Sequence, residues 1–175
     1  MTAKLDASAI VYLSKAKLLT LVERVCGPIV ITAGVYQEVV VRGRAAGHRD
    51  ADVIDKAVRN REVLVVSFTE IGRKRLEEAG FSARLGQGEQ ETIIEALEQN
   101  CLAVLDDSYA RSAAMTLRAT FCRTETLLIE AVMKKAMDMA AYEAALSRLA
   151  QAKGMKLDDL MELLRVGRLI TGSVS

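Results

Sequence analysis

The sequence predicts an α/β fold, a three-layer sandwich in which a central parallel sheet is flanked by helices. Three observations predict it. Short aliphatic and β-branched runs of strand length alternate with segments of helical periodicity. A single proline, Pro28, and the lack of any Ser/Gly-rich or low-complexity tract leave no linker at which to divide the 175 residues. At 51% hydrophobic, the chain has the apolar content for one sizeable core. Strands alternating with helices pack as a parallel sheet covered on both faces. We read residues 1–175 as one domain, with a helical C-terminal extension from about residue 136.

Ala3–Asp6 reads as the first strand and leads into a helix through Leu13. A second helix covers Lys17–Val25. Gly27-Pro28 breaks it, because proline lacks an amide hydrogen and restricts the residue before it. Pro28–Ile31 is the second strand, and Thr32 can cap a helix running to about Val41. Arg42–Asp50 is basic and glycine-containing and reads as a loop before a helix over Asp52–Arg59. Glu62–Val66 is a β-branched strand, and Ile71–Glu78 is a short helix ending at Gly80. Gly86 and Gly88 open a strong helix, Glu89–Gln99. Leu102–Leu105 is a buried strand, followed by a helix over Ser108–Leu117. From about Thr124 the chain is almost all helical: Leu146, Leu149 and Ala150, then Leu157, Leu160, Met161 and Leu164, recur at helical spacing.

Composition narrows the function classes. No apolar run approaches the ~18 residues of a membrane helix, and MTAKLDASAI lacks a secretory h-region with a cleavage site. A cytoplasmic, non-membrane protein is expected. Cys26, Cys101 and Cys122 make no CxxC or Cys/His pattern and read as reduced core thiols. The lone histidine, His48, lies in a loop-like RGRAAGHRD stretch, so a zinc site or a Ser-His-Asp system has little to build on. Twenty-four basic residues balance 23 acidic ones, so no basic footprint announces nucleic acid. Trp is absent, which argues against base-stacking platforms.

In parallel α/β sheets, ligands collect at the carboxyl ends of the strands. Acids stand at two of those ends. Asp6 follows the first strand, where it or Ser8 also serves as a helix cap. Asp106 and Asp107 follow Leu102–Leu105, where one can be a cap and Asp107 has the i,i+4 spacing for an ion pair with Arg111. Two further acids face apolar stripes on a helical projection. Glu38 lies with Ile31, Val35 and Val39, where a carboxylate is costly unless paired with an arginine or a cation. Glu89 lies with Ile93, Ala96 and Leu97, although a first-turn acid also suits the helix dipole. Glu91, Glu95 and Glu98 project to the opposite, solvated face. Converging carboxylates repel, and hard divalent cations such as Mg²⁺ or Mn²⁺ relieve that. Such ions activate water and steady the charge of a phosphoryl displacement.

Four segments, in order, resemble the PIN-domain nucleases, a group that includes the toxin ribonucleases of toxin–antitoxin pairs. LDASAIVYL resembles the opening strand with its Asp-x-Ser/Thr, PIVITAGVYQEVV the second strand and its acid-bearing helix, LGQGEQETIIEAL the Gly-Glu helix of one branch, and LAVLDDSYARSAA the acidic pair before the next helix. The resemblance spans roughly residues 3–135. It implies metal-ligand and catalytic roles for Asp6, Glu38, Glu89 and Asp107, with Asp106 as the close alternative and Ser8 in support. It implies Mg²⁺- or Mn²⁺-dependent cleavage of RNA, a homodimer and an antitoxin protein as partner. Many members carry a further aspartate after the last strand. Here that region reads FCRTETLLIEA, so Thr124 or Glu125 stands in, and Glu125 is the better oxygen ligand. The long segment Arg42–Phe81 carries Arg42, Arg44, Arg49, Arg59, Arg61, Arg73, Lys74 and Arg75, either a solvated surface or phosphate contacts beside the acids. A non-catalytic RNA- or protein-binding scaffold is the alternative function. A phosphohydrolase of another α/β type is disfavoured, since Asp6-Ala7-Ser8 offers one acid where a DxD motif needs two.

Overall fold

The first strand, β1 (Ala3–Leu5), lies in the middle of the sheet. We describe residues 2–172 from a computed structural model. Asp6 caps α1 (Ala7–Lys15), and α2 (Leu19–Cys26) returns the chain to β2 (Ile29–Thr32). Thr32 caps α3 (Ala33–Tyr36) through its hydroxyl, which accepts the Val35 amide at 3.2 Å. The helix then widens into a π-helical stretch, Gln37–Arg42, and closes with α4 (Gly43–Ala45). Next come α5 (Asp50–Arg59), β3 (Val63–Val66), α6 (Glu70–Ala79) and α7 (Gln87–Glu98). They are followed by β4 (Leu102–Val104), α8 (Ser108–Thr116) and the two-residue strand β5 (Phe121–Cys122). Three helices end the chain: α9 (Thr124–Met133), α10 (Met139–Lys153) and α11 (Leu157–Thr171).

All the pairings are parallel, and the strand order is β3-β2-β1-β4-β5. Ala3 lies opposite Ile29 on one side and Leu102 on the other. One core, with Ile10, Leu13, Val22, Leu128 and Leu146, packs helices α1, α2, α5, α9 and α10 against one face. A second core, with Ile93, Leu105, Ala110 and Ala114, packs α7 and α8 against the other. The predicted sandwich with a central parallel sheet is therefore the fold.

Two local expectations are corrected. Arg42–Asp50 is mostly helical, not a loop: the π-helical stretch runs into α4, and the His48 amide closes the turn on the Gly43 carbonyl at 2.9 Å. Glu91 and Glu95 are buried, not solvated, because α7 lies on β1, β2 and β4 while α3, α6 and α8 pack around it. A helix enclosed on several sides has no solvated face for a projection to find. On α11, Leu157 and Met161 are exposed, whereas Leu160 and Leu164 pack on the core.

Candidate metal centre

The strand order has a switch point. From β1 the chain moves outward to β2 and β3, then crosses back to β4 on the other side of β1. Adjacent connections diverge there and leave a crevice beyond the carboxyl ends of the two strands. Asp6 follows β1 and the Asp106-Asp107 pair follows β4, so the topology delivers these acids to one place. The Asp6 amide donates to the Val104 carbonyl at 3.2 Å and fixes the β1 exit against β4.

Asp6 is fully buried. Its Oδ1 accepts the Ala9 amide at 2.7 Å, the helix cap expected from sequence. Its Oδ2 is buried with no hydrogen-bond partner among the described residues. Burial raises the Asp6 carboxyl to about 7; the charges of Asp106 and Glu89 push in the same direction, and the Ala9 and Asp106 amides oppose it. A buried cap alone needs one oxygen; the second carboxylate oxygen is an unmet demand for a proton or a cation.

Glu89 and Asp107 occupy the next position in the crevice. Glu89 sits at the third residue of α7 and reaches back to accept the Gly86 amide at 2.9 Å. That is the carboxylate half of a capping box; glycine has no side chain for the other half. Burial raises the Glu89 carboxyl, offset by that amide and reinforced by Asp107 and Glu38. Asp107 caps α8, accepting the Tyr109 and Ala110 amides at 2.7 and 3.0 Å. Arg111 does not form the expected i,i+4 pair with it; the guanidinium donates to the Asp106 carbonyl instead.

Glu38 corrects the helical projection. It is exposed, while Val39 and Val40 are buried. The π-helical turn holds more residues than an α-turn, so the stripe that should have buried Glu38 is rotated past it. Its carboxylate nevertheless faces the site: a Cβ on Gly88 would lie 3.3 Å from Glu38 Oε2. Gly88 thus lets the start of α7 and its Glu89 approach Glu38.

Asp106 lies close enough to Asp6 to act on its carboxyl but turns its own carboxylate to other partners. Its carboxylate accepts the Thr124 amide at 3.1 Å and the Thr124 hydroxyl at 2.9 Å, and Lys153 Nζ lies 3.1 Å from Oδ1. Glu125 is buried beside it, with Lys153 at 2.6 Å and Arg123 at 3.0 Å from Oε1, while its Oε2 has no partner among the described residues. Sequence reasoning missed Lys153. It is the last residue of α10, held there by the left-handed Gly154 (φ 62°), and reads on its own as a helix-end cation. Ser8, in the first turn of α1, lines a neighbouring groove of about 430 Å³ with Tyr12, Lys15, Glu38, Arg42 and His48.

A family model described as a PIN domain matches residues 4–162. The chain belongs to the PIN-domain family. Neither a curated protein nor a solved structure matches it. The PIN domain is a nuclease-type fold whose members typically use divalent metals, and its crevice here carries the acids that the resemblance implies. Among the described residues, no three His, Cys, Asp or Glu side chains are already gathered as a metal-holding set. In this PIN domain the chain itself engages one oxygen each of Asp6, Asp107 and Glu89 in helix caps, and Asp106 and Glu125 turn to Lys153. The donor chemistry still fits a hard cation: all-oxygen, acidic, and with the Asp6 Oδ2 buried and unmatched. Among the described residues, no helix is long and apolar enough to cross a membrane.

Proposed function

We propose that this PIN-domain protein is a Mg²⁺-dependent endoribonuclease, the toxin component of a toxin–antitoxin pair. The observation that carries the metal-dependent reading is the Oδ2 of Asp6 at the sheet's switch point, buried and without a hydrogen-bond partner among the described residues, on a carboxyl that burial raises to about 7 and that the charges of Asp106 and Glu89 push the same way. Asp6, Glu89, Glu38 and Asp107 are the residues that would hold Mg²⁺ or Mn²⁺. When bound, such an ion offsets the clustered negative charge, makes water a better nucleophile and steadies a phosphodiester's developing charge.

The chain's own residues do the rest. Asp6 is held in register by its cap and by the Val104 carbonyl, so the metal-facing oxygen has a fixed direction. Glu89 is held the same way by the Gly86 amide. The groove beside Glu38 presents Arg42 and His48 for phosphate oxygens. Arg42 also borders a second groove with Arg73, Ser67 and Gln87, giving an RNA strand a basic path past the acids. Other basic residues of this segment serve structure: Arg44 and Arg59 both bind Asp55, at 2.6 and 2.8 Å. Cationic contacts of this kind favour a polyanionic substrate but read no sequence.

The test is direct. Purified protein cleaves RNA with Mg²⁺ or Mn²⁺, stops with EDTA, and loses cleavage on Asp6→Asn. Undiminished cleavage by Asp6→Asn would remove Asp6 from the site. Expression alone should arrest growth, and co-expression with the product of a small adjacent reading frame should relieve it; no arrest would sink the toxin role. The second reading, a non-catalytic RNA- or protein-binding scaffold, is favoured by one feature: Arg123-Thr124-Glu125 follows β5 where many relatives have an aspartate, and Glu125 is occupied by Lys153. RNA affinity without Mn²⁺ binding in calorimetry would select it.

A further inference from the structure

We propose that Lys153 is a built-in cation occupying one half of the acidic crevice, so that this chain binds a single divalent ion where Asp6 and Glu89 converge, and none between Asp106 and Glu125. The inference rests on the metal-site reading above and specifies its stoichiometry.

The observations are geometric. Lys153 Nζ has three oxygen partners: Glu125 Oε1 at 2.6 Å, Asp106 Oδ1 at 3.1 Å and the Thr124 hydroxyl at 3.1 Å. An ammonium has three N–H donors, so all three are used. The side chain is 11% exposed, and the Tyr12 ring covers it with its centroid 5.6 Å from Nζ. Asp106 and Glu125 are themselves buried side chains, 4% exposed each, so their charge needs a local counterion. Lys153 bridges the two carboxylates from a fixed tether, since Gly154 ends α10 immediately after it, and Arg123 adds a second cation 3.0 Å from Glu125 Oε1. A divalent ion entering between Asp106 and Glu125 would have to expel a cation already desolvated, hydrogen-bonded and covalently attached.

The other half of the crevice has no such resident. Among the described residues Asp6 Oδ2, like Glu125 Oε2, has no hydrogen-bond partner, but Asp6 and Glu89 have no ion pair with Lys153, whereas Glu125 and Asp106 do. The asymmetry divides the acids into a group paired with Lys153 and Arg123 and a group left for one metal ion. It also gives a role to the Arg123-Thr124-Glu125 sequence. Thr124 donates its amide and hydroxyl to Asp106, and Glu125 draws the lysine in.

Mn²⁺ titration of the intact protein tests this, read by calorimetry and by electron paramagnetic resonance. The wild type should bind one Mn²⁺ per chain. Lys153→Met should bind two, with the spectral broadening of two neighbouring Mn²⁺ ions, and Lys153→Arg should bind one. Glu125→Gln in the otherwise native chain should leave Mn²⁺ affinity within about threefold, because Glu125 belongs to the lysine. Two ions in the wild type, or one in a folded Lys153→Met, overturn the inference. If Lys153→Met does not fold, Glu125→Gln decides, and a tenfold or greater loss of Mn²⁺ affinity overturns it. Zero ions in the wild type would instead remove the metal-site reading itself, and this inference with it.

Discussion

Lys4 Nζ and Glu95 Oε2 form an ion pair at 3.0 Å in the middle of the fold, with side chains 2% and 1% exposed. Lys4 belongs to the central strand β1 and Glu95 to α7 above it, so the pair pins the helix that carries Glu89 onto the strand that leads to Asp6. A second hydrogen bond, from the Gln99 side-chain Nε2 at 2.9 Å, reaches the same Glu95 oxygen.

Removing one partner of such a pair leaves a bare buried charge. Lys4→Met is expected to cost about 3–5 kcal/mol in urea denaturation, and Lys4→Met/Glu95→Leu to recover most of it. A single variant within 1 kcal/mol of wild type would show the pair to be dispensable.

Gly34 and Glu91 make a second contact between layers. The Gly34 amide donates to Glu91 Oε2 at 3.0 Å, and a Cβ on Gly34 would collide with that carboxylate. Gly34→Ala is expected to destabilise by about 1–3 kcal/mol. Gly34→Ala/Glu91→Ala should lose less than the sum of the single changes, because the clash disappears with the carboxylate. Strict additivity in thermal melts would contradict the contact.

Asp6 makes stability depend on pH and metal together. Its carboxyl is raised from 3.8 to about 7, chiefly by burial. Between those values the folded state keeps a proton that the unfolded chain has released, so stability from this group falls as pH rises through that window and levels off above it. Ionising Asp6 inside the fold costs on the order of 4 kcal/mol relative to water. Asparagine caps a helix as well as aspartate does. Metal-free Asp6→Asn is therefore expected to be more stable than the wild type at pH 8 and equal to it at pH 4. Mg²⁺ should raise the wild-type melting temperature at pH 8 and leave the variant unmoved. Equal metal-free stability at pH 8 would show that Asp6 has a compensating partner.

Arg42 borders two grooves, one of which is also lined by Glu38. Arg42→Ala should weaken RNA binding similarly across sequences and reduce the slope of log affinity against log salt by about 1. An unchanged salt slope would place the RNA path elsewhere.

How far the site is legible depends on the residue. Asp6 and Asp107 stand at the ends of apolar strands, and a strand end followed by an acid is visible in the sequence; both are indeed caps beside the crevice. Glu89 is visible through Gly86 and Gly88, which mark its helix start. Glu38 faces the crevice, but not for the reason that the helical projection gives. The projection that buried it assumes α-helical turns, and the π-helical stretch that carries it has a different period. Glu95 was lost for a related reason: its partner Lys4 is 91 residues away. Lys153 was missed because the residues it joins, Asp106 and Glu125, come from two other elements.

The sequence by itself determined the layered α/β architecture, the parallel sheet, most helix starts and the acids at the strand ends. Each depends on local periodicity, capping chemistry or the burial of short apolar runs, and all of these act over a few residues. Only the tertiary structure decided which acids share a neighbourhood and which have counterions. It set Asp6 beside Asp106 and Glu89, gave Glu95 to Lys4, and brought Lys153 back to Asp106 and Glu125. Those outcomes depend on Coulombic and hydrogen-bond contacts across long sequence separations, formed when the strand order is set and the last helices dock.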